Sequence, residues 1–282
     1  MATDAPHRRP ALMPDLERSR AVVVACDHDA VRPPEVQSTA GAVKLAEALT
    51  SPRTGPSFLP EHLTLLTSWT DPAEVVDAVR RAAEEASDVL LFHYVGTGRR
   101  HDEVVLPRRV EDEGEASPLL TAAETVRNAP AARKVLLLDC EGFGTVWDRL
   151  HRDRGGDGPS RTGDTLSVMG KSPSQYFELH GDKVPAGDNF TLALAGALDS
   201  GVDGGPELLD LPTLHNAIEA YWVQMRYYVE NEYIGAPSTL GLEAGRPVAL
   251  GRNVALGPDG ERRGGFPAHP DVVDARERWW DE

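Results

Sequence analysis

The hydrophobic positions of this chain fall into short blocks, separated by stretches in which apolar residues recur at helical spacing. Ala21-Val22-Val23-Val24-Ala25-Cys26 is apolar throughout and rich in β-branched residues, the pattern of a strand covered on both faces. Val89–Tyr94 and Val135–Cys140 repeat it, and shorter strands are expected at Leu63–Thr67, Thr165–Met169 and Pro247–Leu250. Between them the spacing predicts helices over 38–49, 119–128, 190–200 and 211–234. A further helix opens at Asp71-Pro72, with Val75, Val76, Val79 and Ala83 on one face; Asp at the cap and Pro in the first turn form a start signal. A small hairpin is expected within 103–110.

Doubly buried strands that alternate with helices specify an α/β fold: a mostly parallel six-stranded sheet with helices on both faces. Ligands and chemistry in such sheets gather beyond the carboxyl ends of the central strands. Those ends are Cys26-Asp27-His28-Asp29, Gly96-Thr97-Gly98 and Cys140-Glu141-Gly142. Residues 1–18 are polar and contain proline, so they are expected to be a flexible leader. The domain is expected over 19–253, and 254–282 form a tail rich in Gly, Pro and charge.

Composition narrows the function more than the fold. The formal net charge of −16 repels phosphate backbones and anionic lipid, so no nucleic-acid or membrane partner is expected. The two cysteines make neither a disulfide framework nor a zinc site, and no metal or other cofactor is expected. With no apolar segment at the N-terminus of the kind that directs secretion, the expected location is cytoplasmic.

Several local motifs carry the residue types of a chemical site. Gly170-Lys171-Ser172 has the tail of a phosphate loop, but position 165 is Thr and Pro173 follows. Asp27-His28-Asp29 has metal-ligand chemistry, yet three adjacent side chains in a strand-end loop diverge; Asp27 keeps a place at a pocket rim. His93 lies inside the third strand, where a core histidine is the ordinary expectation. No Gly-x-Ser-x-Gly nucleophile elbow is present.

The strand ends taken together resemble the caspase and metacaspase superfamily, in the form of compact bacterial caspase-like domains. The segments that carry the likeness are the first strand, LPEHLTLLTSWTDPAEVVDAVRRAAEEASDVLLFHYVGTG, ARKVLLLDCEGFG and DSGVDGGPELLDLPTLHNAIEA. The resemblance implies a general-base histidine in a Gly-His-Gly-like turn after the third strand. This chain has Gly96-Thr97-Gly98 there. It implies a nucleophilic cysteine after the fourth strand, two residues beyond an aspartate. This chain has Asp139-Cys140-Glu141-Gly142, which puts Glu141 in the nucleophile's place. The first helix of such domains begins with an acidic or amide-bearing run that binds a basic side chain; Gln37-Ser38-Thr39-Ala40-Gly41-Ala42 has no acid.

The chemistry needs a thiolate beside an imidazole. A threonine hydroxyl has no useful basicity near neutral pH, and a carboxylate repels a developing oxyanion. The expectation is a pseudo-protease that binds a peptide or protein partner as a scaffold. The alternative is an active cysteine peptidase that uses Cys140 with His93, and a third reading makes Glu141 an acid or base for a small molecule. Alternation along a strand turns Cys140 away from a cleft that Glu141 faces.

Two aromatic segments bear on partners. YWVQMRYYVENEYI, from Tyr221 to Ile234, spreads its apolar residues around most of a helix, which suits burial under the chain's own tail, a partner or a homodimer contact. The tail ends in HPDVVDARERWWDE, where Val272, Val273, Arg276, Trp279 and Trp280 share a helical face that suits docking on this domain or another protein.

Overall fold

Residues 10–26, 38–67, 71–96, 99–100, 103–104, 118–140, 143, 146, 150, 165–171, 177–179, 182–184, 189–228, 241–242 and 247–256 are described by the structure, a computed structural model. The continuous apolar runs become the centre of the main sheet. β1 (Arg20–Cys26), β3 (Val89–Gly96) and β6 (Arg133–Cys140) are buried along essentially their whole lengths. They lie side by side and parallel, with β2 (Leu63–Leu66) outside β1 and β7 (Thr165–Lys171) outside β6. A sixth strand, β11 (Gly241–Leu242), joins β7 antiparallel, so the sheet has six strands in the order β11-β7-β6-β3-β1-β2. This is the mostly parallel α/β architecture expected from the sequence.

Alternation along the central strands divides the core in two. Val22, Val24, Leu90, Phe92, Tyr94, Leu136 and Leu138 face one side. There they meet α2 (Pro72–Glu85) and α3 (Pro118–Asn128) through Val75, Val79, Leu119 and Val126. Val23, Leu91, Val95, Val135 and Leu137 face the other. They are covered by α1 (Ser38–Thr50), α4 (Asn189–Ser200) and α5 (Leu211–Tyr228), through Leu45, Leu49, Leu194, Leu214 and Ile218. Both layers are needed because a parallel sheet leaves neither face to water.

The start signal at Asp71-Pro72 acts as expected. Asp71 Oδ1 accepts the Ala73 N–H at 2.8 Å, and the Glu74 side chain accepts the Asp71 N–H at 2.9 Å, a reciprocal cap on α2. The buried stripe is Val75, Ala78, Val79, Ala82 and Ala83, with Val76 half-buried beside it.

Other elements differ from expectation. The apolar run expected to supply a last strand at Pro247–Leu250 forms β12 (Ala249–Arg252), which leaves the main sheet and pairs antiparallel with β10 (Leu208–Asp210). Its apolar character reflects burial of Val248 and Leu250 among the residues of α4 and α5, not membership of the sheet. The strand that closes the main sheet has two residues, too few for a period to show. Two hairpins form at β4 (Arg99–Arg100) with β5 (Glu103–Val104), ahead of the expected 103–110, and at β8 (Phe177–Leu179) with β9 (Asp182–Val184). The expected aromatic helix is helical to Tyr228; 229–234 lie outside the described residues. Among the described residues no helix is long and apolar enough to cross a membrane.

Residues 10–18 are not a free leader. Leu12 bridges Val248, and the Arg133 guanidinium donates to the carbonyls of Leu12 at 2.9 Å and Met13 at 3.2 Å. Asp88 Oδ2 accepts from Arg133 at 2.6 Å and from the Asp15 N–H at 2.7 Å. Burial alone would push the Asp88 carboxyl up, but the Arg133 hydrogen bond, the Asp15 N–H and the charges of Arg133 and Arg18 hold it below the usual carboxylate range. Arg133 begins β6 and Asp88 precedes β3, so this strap crosses the amino edge of the sheet, opposite the candidate site.

Candidate functional site

Three central strands end level with one another. Cys26 of β1 is in register with Gly96 of β3, and Gly96 with Cys140 of β6. Gly96 has φ of 142°, and a Cβ there would lie 2.3 Å from the Cys26 carbonyl oxygen. Only glycine lets the ends of β1 and β3 approach so closely. The strand ends that lead into Asp27, Thr97 and Glu141 are therefore brought to one edge. Asp27, Thr97, Gly98, Glu141 and Gly142 themselves lie outside the described residues, as do Trp279 and Trp280 of the tail.

Cys140 and His93 are both described, and the fold separates them. His93 is in register with Leu137, and Cys140 lies three positions beyond Leu137 on the same strand. An odd offset on neighbouring parallel strands points two side chains to opposite faces. Cys140 is fully buried in the layer of Tyr94, Leu138 and Phe143, against the side of α2 and α3. His93 is fully buried on the side of α4. The alternative pairing of Cys140 with His93 does not occur, because the sheet itself lies between them. Cys26 and Cys140 are both buried, and neither is in a disulfide.

His93 belongs instead to a polar cluster that the sequence did not announce. Its Nδ1 is 3.0 Å from the Leu137 carbonyl oxygen, and its Nε2 is 3.2 Å from Thr191 Oγ1. The Thr191 hydroxyl reaches Asp139 Oδ2 at 2.8 Å, and the Thr191 N–H donates to the same oxygen at 2.9 Å. Burial pushes His93 down to about 3, against a smaller upward pull from the Leu137 carbonyl, so the ring is neutral near pH 7. Thr191 is in the first turn of α4, where backbone N–H groups have no partner within the helix. Asp139 supplies one from the end of β6 and ties the helix to the strand that leads into Cys140 and Glu141. The signal in the sequence was Asp139 itself, a charged residue ending an apolar run; its partner is 52 residues away.

The remaining motifs resolve simply. Gly170 and Lys171 are strand residues of β7, not a phosphate loop. A Cβ on Gly170 would lie 2.2 Å from the Leu138 carbonyl oxygen and 2.8 Å from the Phe143 ring, so the glycine serves close packing. Among the described residues no cluster of His, Cys, Asp and Glu has the arrangement of a metal site. A cavity of about 500 Å³ between α1 and α4 is lined by Lys44, Glu47, Ser51, Leu192 and Asp199. It runs along α4 from Leu192, next to Thr191, to Asp199.

By structure the chain is similar to caspase-1 from Spodoptera frugiperda, at 13% identity and a TM-score of 0.43 over 90% of this chain and 98% of that one. It is also similar to a structure of pro-sf-caspase-1, at 13% identity and a TM-score of 0.47 over 87% of this chain and 99% of that one. Likeness of this degree carries nothing about catalytic residues. No family model and no curated protein sequence matches the chain.

Proposed function

We propose that this chain is a caspase-like domain without peptidase activity, which binds a peptide or protein partner at the carboxyl edge of its sheet. The observation that carries the proposal is the separation of Cys140 and His93 into opposite core layers. A thiol nucleophile works only with a base in hydrogen-bond reach and with access to substrate. Cys140 has neither His93 nor an open surface. The residues that follow Gly96 and Cys140, Thr97 and Glu141, lack the basicity and the nucleophilicity that the caspase-like mechanism needs. What such a domain retains is an edge suited to holding an extended peptide, with the aromatic segment 221–234 and the Trp279-Trp280 tail as further contact surfaces. A homodimer through the aromatic segment is one form of this reading. A reducing cytoplasmic setting agrees with two cysteines that are not joined in a disulfide.

The test is a library of fluorogenic peptides incubated with the purified full-length chain. No cleavage is expected. Cleavage that disappears in Cys140→Ala would overturn the proposal, and cleavage that disappears in Glu141→Gln would assign the edge to a different chemistry. Binding is read separately, by titrating uncleavable peptides from the same library against the chain and against Glu141→Gln; unchanged affinity for every peptide would remove the edge as the binding surface.

A further inference from the structure

The last described residues of the chain, up to Leu256, lie at one end of the groove between α1 and α4. Asn253 accepts the Val202 N–H at 2.9 Å and donates to the Val202 carbonyl at 2.8 Å. A Cβ on Gly201, the residue after α4, would lie 2.4 Å from the Ala255 backbone nitrogen. Asp199, two positions before Gly201, lines the groove. Arg53, just past α1, donates to the Asp199 carbonyl at 2.6 Å and so joins the two helix ends at the same place. Whatever follows Leu256 therefore starts beside the groove. The apolar part of the lining is buried Ala48 and Ala195 with half-buried Leu192 and Gly196, and Lys44 and Glu47 stand exposed on the α1 wall. A volume of about 500 Å³ is in the range of sites that bury a compact ligand.

Residues 257–282 lie outside the described residues, and their sequence complements the groove. Val272, Val273, Arg276, Trp279 and Trp280 recur at helical spacing, four large apolar residues around one cation. Small side chains in the groove leave room for large anchors, and the Glu47 carboxylate beside them suits a guanidinium. We propose that the α1–α4 groove is the docking site of the chain's own C-terminal segment, residues 271–280. The segment sits there as an amphipathic helix, with Trp279 and Trp280 against Ala48, Ala195 and Gly196, and Arg276 beside Glu47.

Reach and tethering select this occupant over a second copy. Residues 257–270 span up to about 46 Å when extended. The groove from Asp199 to Leu192 is about 10 Å long, so the tether reaches every part of it. A short flexible linker holds its segment at an effective concentration of about 1 mM, so even a contact with a Kd of about 100 µM is made about nine-tenths of the time. At about 1 µM protein, the same segment of another molecule would fill the groove only about one time in a hundred. A partner that takes the two tryptophans must then first displace them from α4. The docking uses none of the strand-end residues assigned above to peptide binding.

Hydrogen–deuterium exchange on the full-length chain tests it from both sides. In the double variant Trp279→Ala/Trp280→Ala, amides of 44–51 and 192–199 should exchange about tenfold faster than in the wild type, the factor set by the tethered occupancy. Unchanged exchange in both segments overturns the proposal, and so does a change confined to other segments. Gly196→Gln reads the other side. It places a side chain in the groove, and glutamine is the better helix former, so α4 is not weakened. Amides of 271–280 should lose protection by a similar factor in this variant; unaltered tail exchange overturns the proposal. Wild-type protection of 192–199 should persist on hundredfold dilution, and protection lost on dilution would assign the groove to a second copy and overturn docking within one chain. Peptide binding at the strand ends is not the readout, so failure here leaves the proposed function to its own test.

Discussion

His93 and Cys140 stand on neighbouring strands, three register positions apart, and point into opposite halves of the core. A thiol in that position is shielded by Tyr94, Leu138 and Phe143, and the His93 imidazole lies in the other layer, out of its reach. Neither Cys140 nor Cys26, 3% exposed, should react with an aromatic disulfide reagent while the protein is folded. Both should react once it is denatured. A fast stoichiometric reaction of Cys140 in the native protein would show that the strand end opens in solution.

His93 should not titrate as an ordinary histidine. Burial holds it at about 3, whereas an unfolded histidine takes up a proton near 6.5. Its ring resonances should stay unchanged from pH 8 to pH 4.5. Below about 6.5 the unfolded chain binds a proton that the folded ring refuses, so the contribution of His93 to stability falls as pH falls from 6.5 towards 3. Ring signals that move with a midpoint near 6.5 would contradict the burial described above.

The amino-edge strap should contribute measurably to stability. Asp88→Ala removes the partner of Arg133 and the acceptor for Asp15, and a cost of about 2 kcal/mol is expected for losing hydrogen bonds to a charged group. Because the Asp88 carboxyl is held below its ordinary value, its contribution is complete above about pH 4 and is lost as pH falls through the lowered folded value. Denaturant titrations of the wild type and the variant should converge in acid. Truncation before Asp15 should also destabilise, since Leu12 and Met13 hold the Arg133 guanidinium.

Gly96→Ala should be among the most damaging substitutions at the carboxyl edge. The added Cβ meets the Cys26 carbonyl at 2.3 Å, and φ of 142° disfavours any side chain. A loss of about 2 kcal/mol or more is expected from strain and overpacking together. The thermal midpoint reads it. An unchanged midpoint would mean that β1 and β3 can spread apart at no cost.

The sequence by itself determined the central sheet. The runs at Ala21–Cys26, Val89–Tyr94 and Val135–Cys140 are apolar at essentially every position, and only a strand covered on both faces uses such a run. Asp71-Pro72 fixed the start of α2 because capping is local chemistry. Alternation also predicted that Cys140 points into a packed layer, where it is found. Tertiary structure decided what depends on distant partners. The run at Pro247–Leu250 announced burial, but burial does not name a neighbour, and β12 pairs with β10 outside the main sheet. Residues 10–18 read as leader because their anchors, Asp88 and Arg133, come from the ends of other elements. His93 and Asp139 each looked like isolated polar residues in apolar runs. Only the packing of α4 on the sheet supplies Thr191 between them, because hydrogen bonds across a core connect residues by position in space, and the sequence records only their order along the chain.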